Sequence, residues 1–209
     1  MNLHYISHFT EGLAEVRLNG KRGFINQQGN IVIDLKYDWT EGFLKGFTRV
    51  AIGGTHIELG GIIGAKWGII DNTGKEIVPP IKYDWLDNFV NGFARVNIGV
   101  KTNEQGNVVI AGGKFGLIDT TGKEIVPPEY DYIFHFSEGL AKVNVGGTYT
   151  GNWLDPIRGG KFGFVNMKNE VVISPQYDDI DGSFKGGRVR VRLGQEIFWI
   201  NTKGESVEE

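Results

Sequence analysis

One stretch of this chain occurs twice, nearly letter for letter. Lys66-Trp-Gly-Ile-Ile-Asp-Asn-Thr-Gly-Lys-Glu-Ile-Val-Pro-Pro80 returns as Lys114-Phe-Gly-Leu-Ile-Asp-Thr-Thr-Gly-Lys-Glu-Ile-Val-Pro-Pro128. Looser copies begin at Lys21 and Lys161, and a worn one begins at Glu196. Each copy follows a phenylalanine-led segment, as in Phe9-Thr-Glu-Gly-Leu-Ala-Glu-Val16, Phe89-Val-Asn-Gly-Phe-Ala-Arg-Val96 and Phe136-Ser-Glu-Gly-Leu-Ala-Lys-Val143. Tyr-Asp pairs at Tyr37-Asp38, Tyr83-Asp84, Tyr130-Asp131 and Tyr177-Asp178 precede the last four. A unit this small cannot bury an apolar face alone, so its neighbours must supply the rest of the core. The sequence therefore predicts one repeat domain over 1–209, with units at 1–36, 37–82, 83–129, 130–176 and 177–209.

Spacing separates what is fixed from what is free. From the central glycine (23, 68, 116, 163) to the next tyrosine the steps are 14, 15, 14 and 14, and from tyrosine to the next phenylalanine 6, 6, 6 and 7. From phenylalanine to the central position the steps are 14, 25, 27, 27 and 14. Length thus varies at one place only, in the three middle copies.

Alternation reads the unit as strands. Ala94, Val96 and Ile98 alternate with Phe93, Arg95 and Asn97, and Ala141, Val143 and Val145 with Leu140, Lys142 and Asn144. Asn19-Gly20 is a strong tight-hairpin signal, and Gly74 and Gly122 suit a positive φ in the second hairpin. Pro79-Pro80 and Pro127-Pro128 donate no ladder hydrogen bonds and are expected to end the last strand. The Tyr-Asp segment reads as a short strand or an ordered corner. The extra residues, Ile52 to Ala65, Ile98 to Gly113 and Val145 to Gly160, read as three hairpin arms or loops on one face. No segment has a helical period with caps. The expected fold is all-β: five tandem hairpin-based repeats in an open, solenoid-like stack, with a five-bladed propeller as the alternative.

Composition narrows the function classes. Glycine makes up 32 of 209 residues, about 15% against a usual share of about 7%, and hairpin geometry accounts for the excess. A net charge of -3 argues against a nucleic-acid partner. No apolar run approaches the roughly 18 residues of a membrane helix. The N-terminus has no secretory pattern, so a cytoplasmic location is expected. With no cysteine, thiolate metal sites and cysteine nucleophiles are excluded. No nucleophile elbow, phosphate loop or dinucleotide fingerprint occurs, and no cofactor or metal site is expected.

The repeated aromatics (Trp67, Phe115, Phe162 and the leading phenylalanines) are read as core rather than sugar platforms. Asp38, Asp84, Asp131 and Asp178 are read as turn residues bonding backbone N–H groups rather than a cation ladder. His8 and His135 share one repeat position and read as structural. The insertions lie outside this pattern. They offer His56 and Glu58 in the second copy, Asn103 and Glu104 in the third, and Tyr149, Asn152, Trp153, Asp155 and Arg158 in the fourth. Trp153 has no repeat position to explain it, and Trp, Tyr and Arg are common interface anchors. The alternative is that the arms brace the sheets.

These motifs resemble the bacterial WG-repeat, or KWG, family: Lys66, Trp67, Gly68, Asp71, Gly74, Lys75, Pro79, Pro80, Tyr83, Asp84, Phe89, Gly92, Ala94 and Val96 follow its repeat. The resemblance covers almost the whole chain. Departures are the three insertions, Arg22, Phe115 and Phe162 at the Trp position, and the eroded last copy. The resemblance implies a β-rich binding or scaffold repeat rather than a catalyst, and the family's varying repeat number suits an open array. The expected function is therefore non-catalytic protein–protein interaction through the inserted hairpins. Carbohydrate or small-ligand binding, and a toxin-antagonising immunity role, are the alternatives. Glu205, Glu208 and Glu209 would discourage edge pairing, and a monomer is expected.

Overall fold

The computed structural model describes residues 4–57, 61–99, 112–150 and 156–208. Among them there is no helix, and so none long and apolar enough to cross a membrane. The chain is an all-β tandem array with one four-stranded antiparallel sheet per copy, and it divides into two compact units, Met1–Asn88 and Phe89–Glu209.

The first unit holds β1 (Tyr5–Ile6), β2 (Leu13–Leu18), β3 (Lys21–Asn26) and β4 (Ile31–Tyr37), paired in chain order. Next come β5 (Trp39–Thr40), β6 (Phe47–Ile52), the two-stranded arm β7 (Thr55–Ile57) and β8 (Gly61–Ile63), then β9 (Lys66–Asp71), β10 (Glu76–Tyr83) and β11 (Trp85–Leu86). The second sheet runs β5-β6-β9-β10. The second unit holds β12 (Phe93–Ile98), β13 (Lys114–Asp119) and β14 (Glu124–Tyr130). It continues with β15 (Tyr132–Ile133), β16 (Leu140–Tyr149), β17 (Ile157–Asn166) and β18 (Val171–Tyr177), and ends with β19 (Asp179–Lys185), β20 (Arg188–Leu193), β21 (Glu196–Asn201) and β22 (Ser206–Val207).

Local chemistry dictates the hairpins. The Asn19-Gly20 turn takes φ of 50° and 77°, the left-handed pair of a type I′ turn. The same pair recurs at Glu11-Gly12, Lys45-Gly46, Asn91-Gly92 and Glu138-Gly139, just after each leading phenylalanine. In the second hairpin one side chain organises the loop: Asp71 Oδ1 accepts the N–H groups of Thr73 (2.9 Å) and Lys75 (3.0 Å), and Asp119 does the same with Thr121 and Lys123. Asn26, Asn166 and Asn201 take this role in the other copies.

The central glycines are set by the fourth strand. A Cβ on Gly23, Gly68, Gly116 or Gly163 would lie far inside van der Waals contact with the carbonyl oxygen of Ile33, Val78, Val126 or Ile173. Each faces a bulge: opposite two residues of β13, from Leu117 to Phe115, β14 advances four, from Val126 to Tyr130. This corrects the expectation for the prolines. Pro79-Pro80 and Pro127-Pro128 do not end their strands but sit inside β10 and β14, where the bulge has already interrupted the ladder. The extra residue in the step of 15 enlarges that bulge, since β10 advances five residues between Val78 and Tyr83.

Each tyrosine ends a sheet, and the aspartate after it ties the corner. Asp38 Oδ1 accepts Lys21 Nζ (2.6 Å), and its Oδ2 accepts the N–H of Gly53 (2.8 Å) in the following sheet. Asp131 joins Lys114 to Gly146, and Asp178 joins Lys161 to Gly194. Burial alone would raise the Asp38 carboxyl, but the bonds from Lys21 and Gly53 outweigh it and hold it below the usual range. Two glutamates form a second link: Glu11 accepts the N–H groups of Lys45 and Gly46, and Glu138 those of Gly186 and Gly187.

The core lies between sheets. Leu13, Phe24, Ile33 and Tyr37 of the first sheet pack with Phe43, Val50 and Ile70 of the second. Phe43 meets Phe24 edge-on at 4.9 Å, and Phe184 meets Phe164 at 4.7 Å. Each such ring contributes about 1.5–3 kcal/mol by burial.

Candidate interaction site

The fourth-copy arm is a continuation of its own sheet. After Val145↔Lys161 the ladder skips Gly146 and Gly160 and resumes at Gly147↔Gly159, Thr148↔Arg158 and Tyr149↔Ile157; Thr150 N–H then donates to Pro156 O at 3.0 Å. Glycines permit this redirection. Gly146, Gly159 and Gly160 have φ of 84°, 69° and 72°, and a Cβ on Gly147 or Gly160 would strike Asn144 Oδ1. The fully buried Asn144 fills that space and fixes the root: its Nδ2 donates to Gly159 O (3.1 Å), and its Oδ1 accepts the N–H of Gly147 (3.0 Å).

So rooted, the arm lays Tyr149 on the body of the repeats. Its ring stacks on Tyr132 at 5.4 Å and 12°, and meets Phe115 edge-on at 5.1 Å. Tyr132 also contacts Phe115 (5.0 Å) and Phe134 (4.8 Å). The Arg95 guanidinium lies over the Tyr132 ring at 5.2 Å and donates to its hydroxyl. Tyr149 is half-buried, whereas its neighbours Thr148 and Arg158 are exposed. In the first unit the second-copy arm does something similar: exposed His56 tilts onto Trp39 at 6.0 Å, a ring that Arg22 also covers at 4.0 Å. Glu58, Asn103, Glu104, Asn152, Trp153 and Asp155 lie outside the described residues.

The structure also brings forward a set that sequence reading passed over. The position between the alanine-like and valine residues of each leading segment is Glu15, Arg49, Arg95, Lys142 and Arg190. In the second copy, Arg49 pairs with Glu41 through Nε (2.8 Å) and Nη2, and donates through Nη1 to Leu86 O at 2.7 Å. In the fourth, buried Lys142 donates to Ile180 O (3.1 Å) and Gly182 O (2.9 Å) with its ammonium 4.1 Å from the Phe134 ring. Burial pushes that amine down to about 8, with the charges of Asp179 and Asp181 pulling the other way. The first copy inverts the chemistry: Glu15 accepts Thr40 Oγ1 and Arg17 Nε, each at 2.5 Å. Thr40 stands there where Leu86 and Ile180 stand elsewhere. Aligning the copies shows a charged residue recurring on an otherwise apolar strand, a signal available from sequence.

These features define a class: an all-β tandem-repeat protein with arms grafted at one hairpin of the unit. The sequence matches the WG containing repeat model over residues 2–21, 23–55, 67–101, 115–149 and 162–195, most of its length, and the chain belongs to that family. Two solved structures align with the chain along nearly its whole length. One is a eukaryotic initiation factor, at 13% identity and a TM-score of 0.49, covering 99% of this chain and 52% of that one. The other is a protein of unknown function from Bacteroides caccae, at 10% identity and a TM-score of 0.28, covering 99% and 80%. The chain thus spans about half the length of the first. No curated protein matches it.

Proposed function

We propose that this WG-repeat chain is a non-catalytic binding module that engages a protein partner through the arms of its middle copies, chiefly that of the fourth. The observation that carries the reading is the rooting of that arm. Buried Asn144, four glycines and the Tyr149 stack hold a hairpin in one orientation, while Thr148 and Arg158 face solvent and the strands bracket Gly151-Asn-Trp-Leu-Asp155. Preorganisation lowers the ordering cost of binding. The reading as non-catalytic is supported by the state of the displaced titratable groups: Lys142 is consumed by backbone carbonyls, and Asp38 and Asp178 by corner bonds.

Tyr149 is a poor site for a test, because its loss also removes a stack worth about 0.5–1.5 kcal/mol beyond area. Two other variants separate binding from folding. One is Trp153→Ala with Arg158→Ala. The other trims residues 151–155 to Gly-Ser-Gly, which leaves Asn144, the root glycines and the Tyr149 stack in place. Both should melt cooperatively, and both should lose at least tenfold of a partner that wild type captures from native extract. Equal capture by the trimmed chain would sink the proposal.

A further inference from the structure

Successive sheets in each unit meet through recurring contacts. The leading phenylalanine of one sheet packs on an aromatic ring of the sheet before it: Phe43 covers Phe24 and Phe184 covers Phe164, each the residue after a central glycine, while Phe136 meets Phe93. The second residue of the short leading strand is sealed beside it: Thr40, Leu86, Ile133 and Ile180 are all buried. At two junctions the basic residue of the earlier sheet reaches that residue's carbonyl: Arg49 reaches Leu86 O and Lys142 reaches Ile180 O.

The first and last sheets each carry one uncovered half of this junction. In the first, Phe9 is 45% exposed where Phe43 is 4% and Phe184 2%, and Ile6 is 53% exposed. In the last, Ile197 is 63% exposed where Phe115 is 1% at the same position. Trp199, whose counterparts Phe24 and Phe164 are buried, stays half-exposed beside a hollow of about 690 Å³ also lined by Val189, Arg188 and Gly186. Arg190 has a side chain 51% exposed, against 19% for Arg49, and turns back on Asp181.

We infer that the last sheet of one copy docks the first sheet of a second copy, repeating the internal junction. Phe9 enters the hollow at Trp199, Tyr5 and Ile6 cover Ile197, and Arg190 reaches the Ile6 carbonyl. The contact is heterologous and does not use one patch twice, so it builds chains rather than a symmetric pair. Glu205 and Glu208 protect the strand edge, whereas this docking is face to face. Arg188, lying over Trp199 at 5.1 Å where the other sheets have Leu13, Phe47, Phe93 or Leu140, must move aside. The corner aspartate and its glycine are also missing from this junction. Association is therefore concentration-dependent rather than obligatory.

The test is sedimentation velocity on the full chain from micromolar to millimolar concentration. Wild type should grow in mass with concentration. Phe9→Glu blocks the first sheet and Ile197→Glu the last; both replace exposed side chains, so both should fold, and each alone should stay monomeric. Mixed, they should form a species of two chains and no larger, because only one junction remains. A monomeric wild type throughout, or a dimer that survives both single variants, would overturn the inference. Neither substitution touches the arm, so partner capture is read independently.

Discussion

At the residue scale, Lys142 links burial to a measurable pH dependence. By alternation it belongs with Leu140 and Asn144 on one side of β16, opposite Ala141 and Val143, and sequence offers no reason to bury both sides. In the structure all five are buried. Burial pushes the Lys142 amine down to about 8, below the roughly 10.4 of an unfolded lysine. Between those values the unfolded chain holds more protons, so stability rises with pH. The buried tyrosines set the upper limit: burial raises Tyr37, Tyr130 and Tyr177, so above about pH 10 the unfolded chain ionises first and stability falls. Urea melts should therefore show wild type gaining stability from pH 8 to 10. Lys142→Met, which keeps the apolar stem, should show a flatter profile. Identical slopes in the two proteins would mean that another group governs this window.

At the element scale, legibility followed how local the determining physics was. The hairpins could be read because Asn19-Gly20, Asp71 to Gly74 and Asp119 to Gly122 carry their turn chemistry within four residues. Glu11-Gly12 and Glu138-Gly139 could not, because a glutamate at positive φ has no strong sequence signal; here the N–H groups of the next sheet hold it. The prolines misled for a related reason. Their missing donors were legible, but the bulge that makes those donors unnecessary is set by a glycine on the neighbouring strand. The single step of 15 then acquires a meaning. Ile81 is exposed and belongs to a five-residue advance where the first, third and fourth sheets use four. Deleting Ile81 should give β10 the bulge of β14 and change stability by less than about 1 kcal/mol, as surface changes usually do. Deleting Val78, whose side chain is buried, should cost at least about 3 kcal/mol. Parallel denaturant melts decide; equal losses would mean that the bulge length is fixed by more than local geometry.

At the scale of the whole molecule, the sequence shows that the unit recurs but not how far cooperativity reaches, because that depends on contacts between sheets. Every ring contact described above joins residues of one sheet or of adjacent sheets, so a defect should spread by nearest neighbours. Both faces of β16 are covered, while β20 alternates buried and exposed along its length because only one of its faces is. Phe184 is the place to cut, since it is nearly fully buried and closes the junction of the last two sheets on Phe164. Phe184→Ala should remove about 3–5 kcal/mol from that junction. Native-state hydrogen exchange would show where the loss falls. Amides of β17 and β20 should exchange 100-fold faster or more, and those of β2 and β3, in the other compact unit, should keep their wild-type rates. Equal acceleration at all four strands would mean that the five sheets unfold as one body. The confined result would mean that a binding event at the fourth-copy arm is felt by the sheets beside it and not by the first.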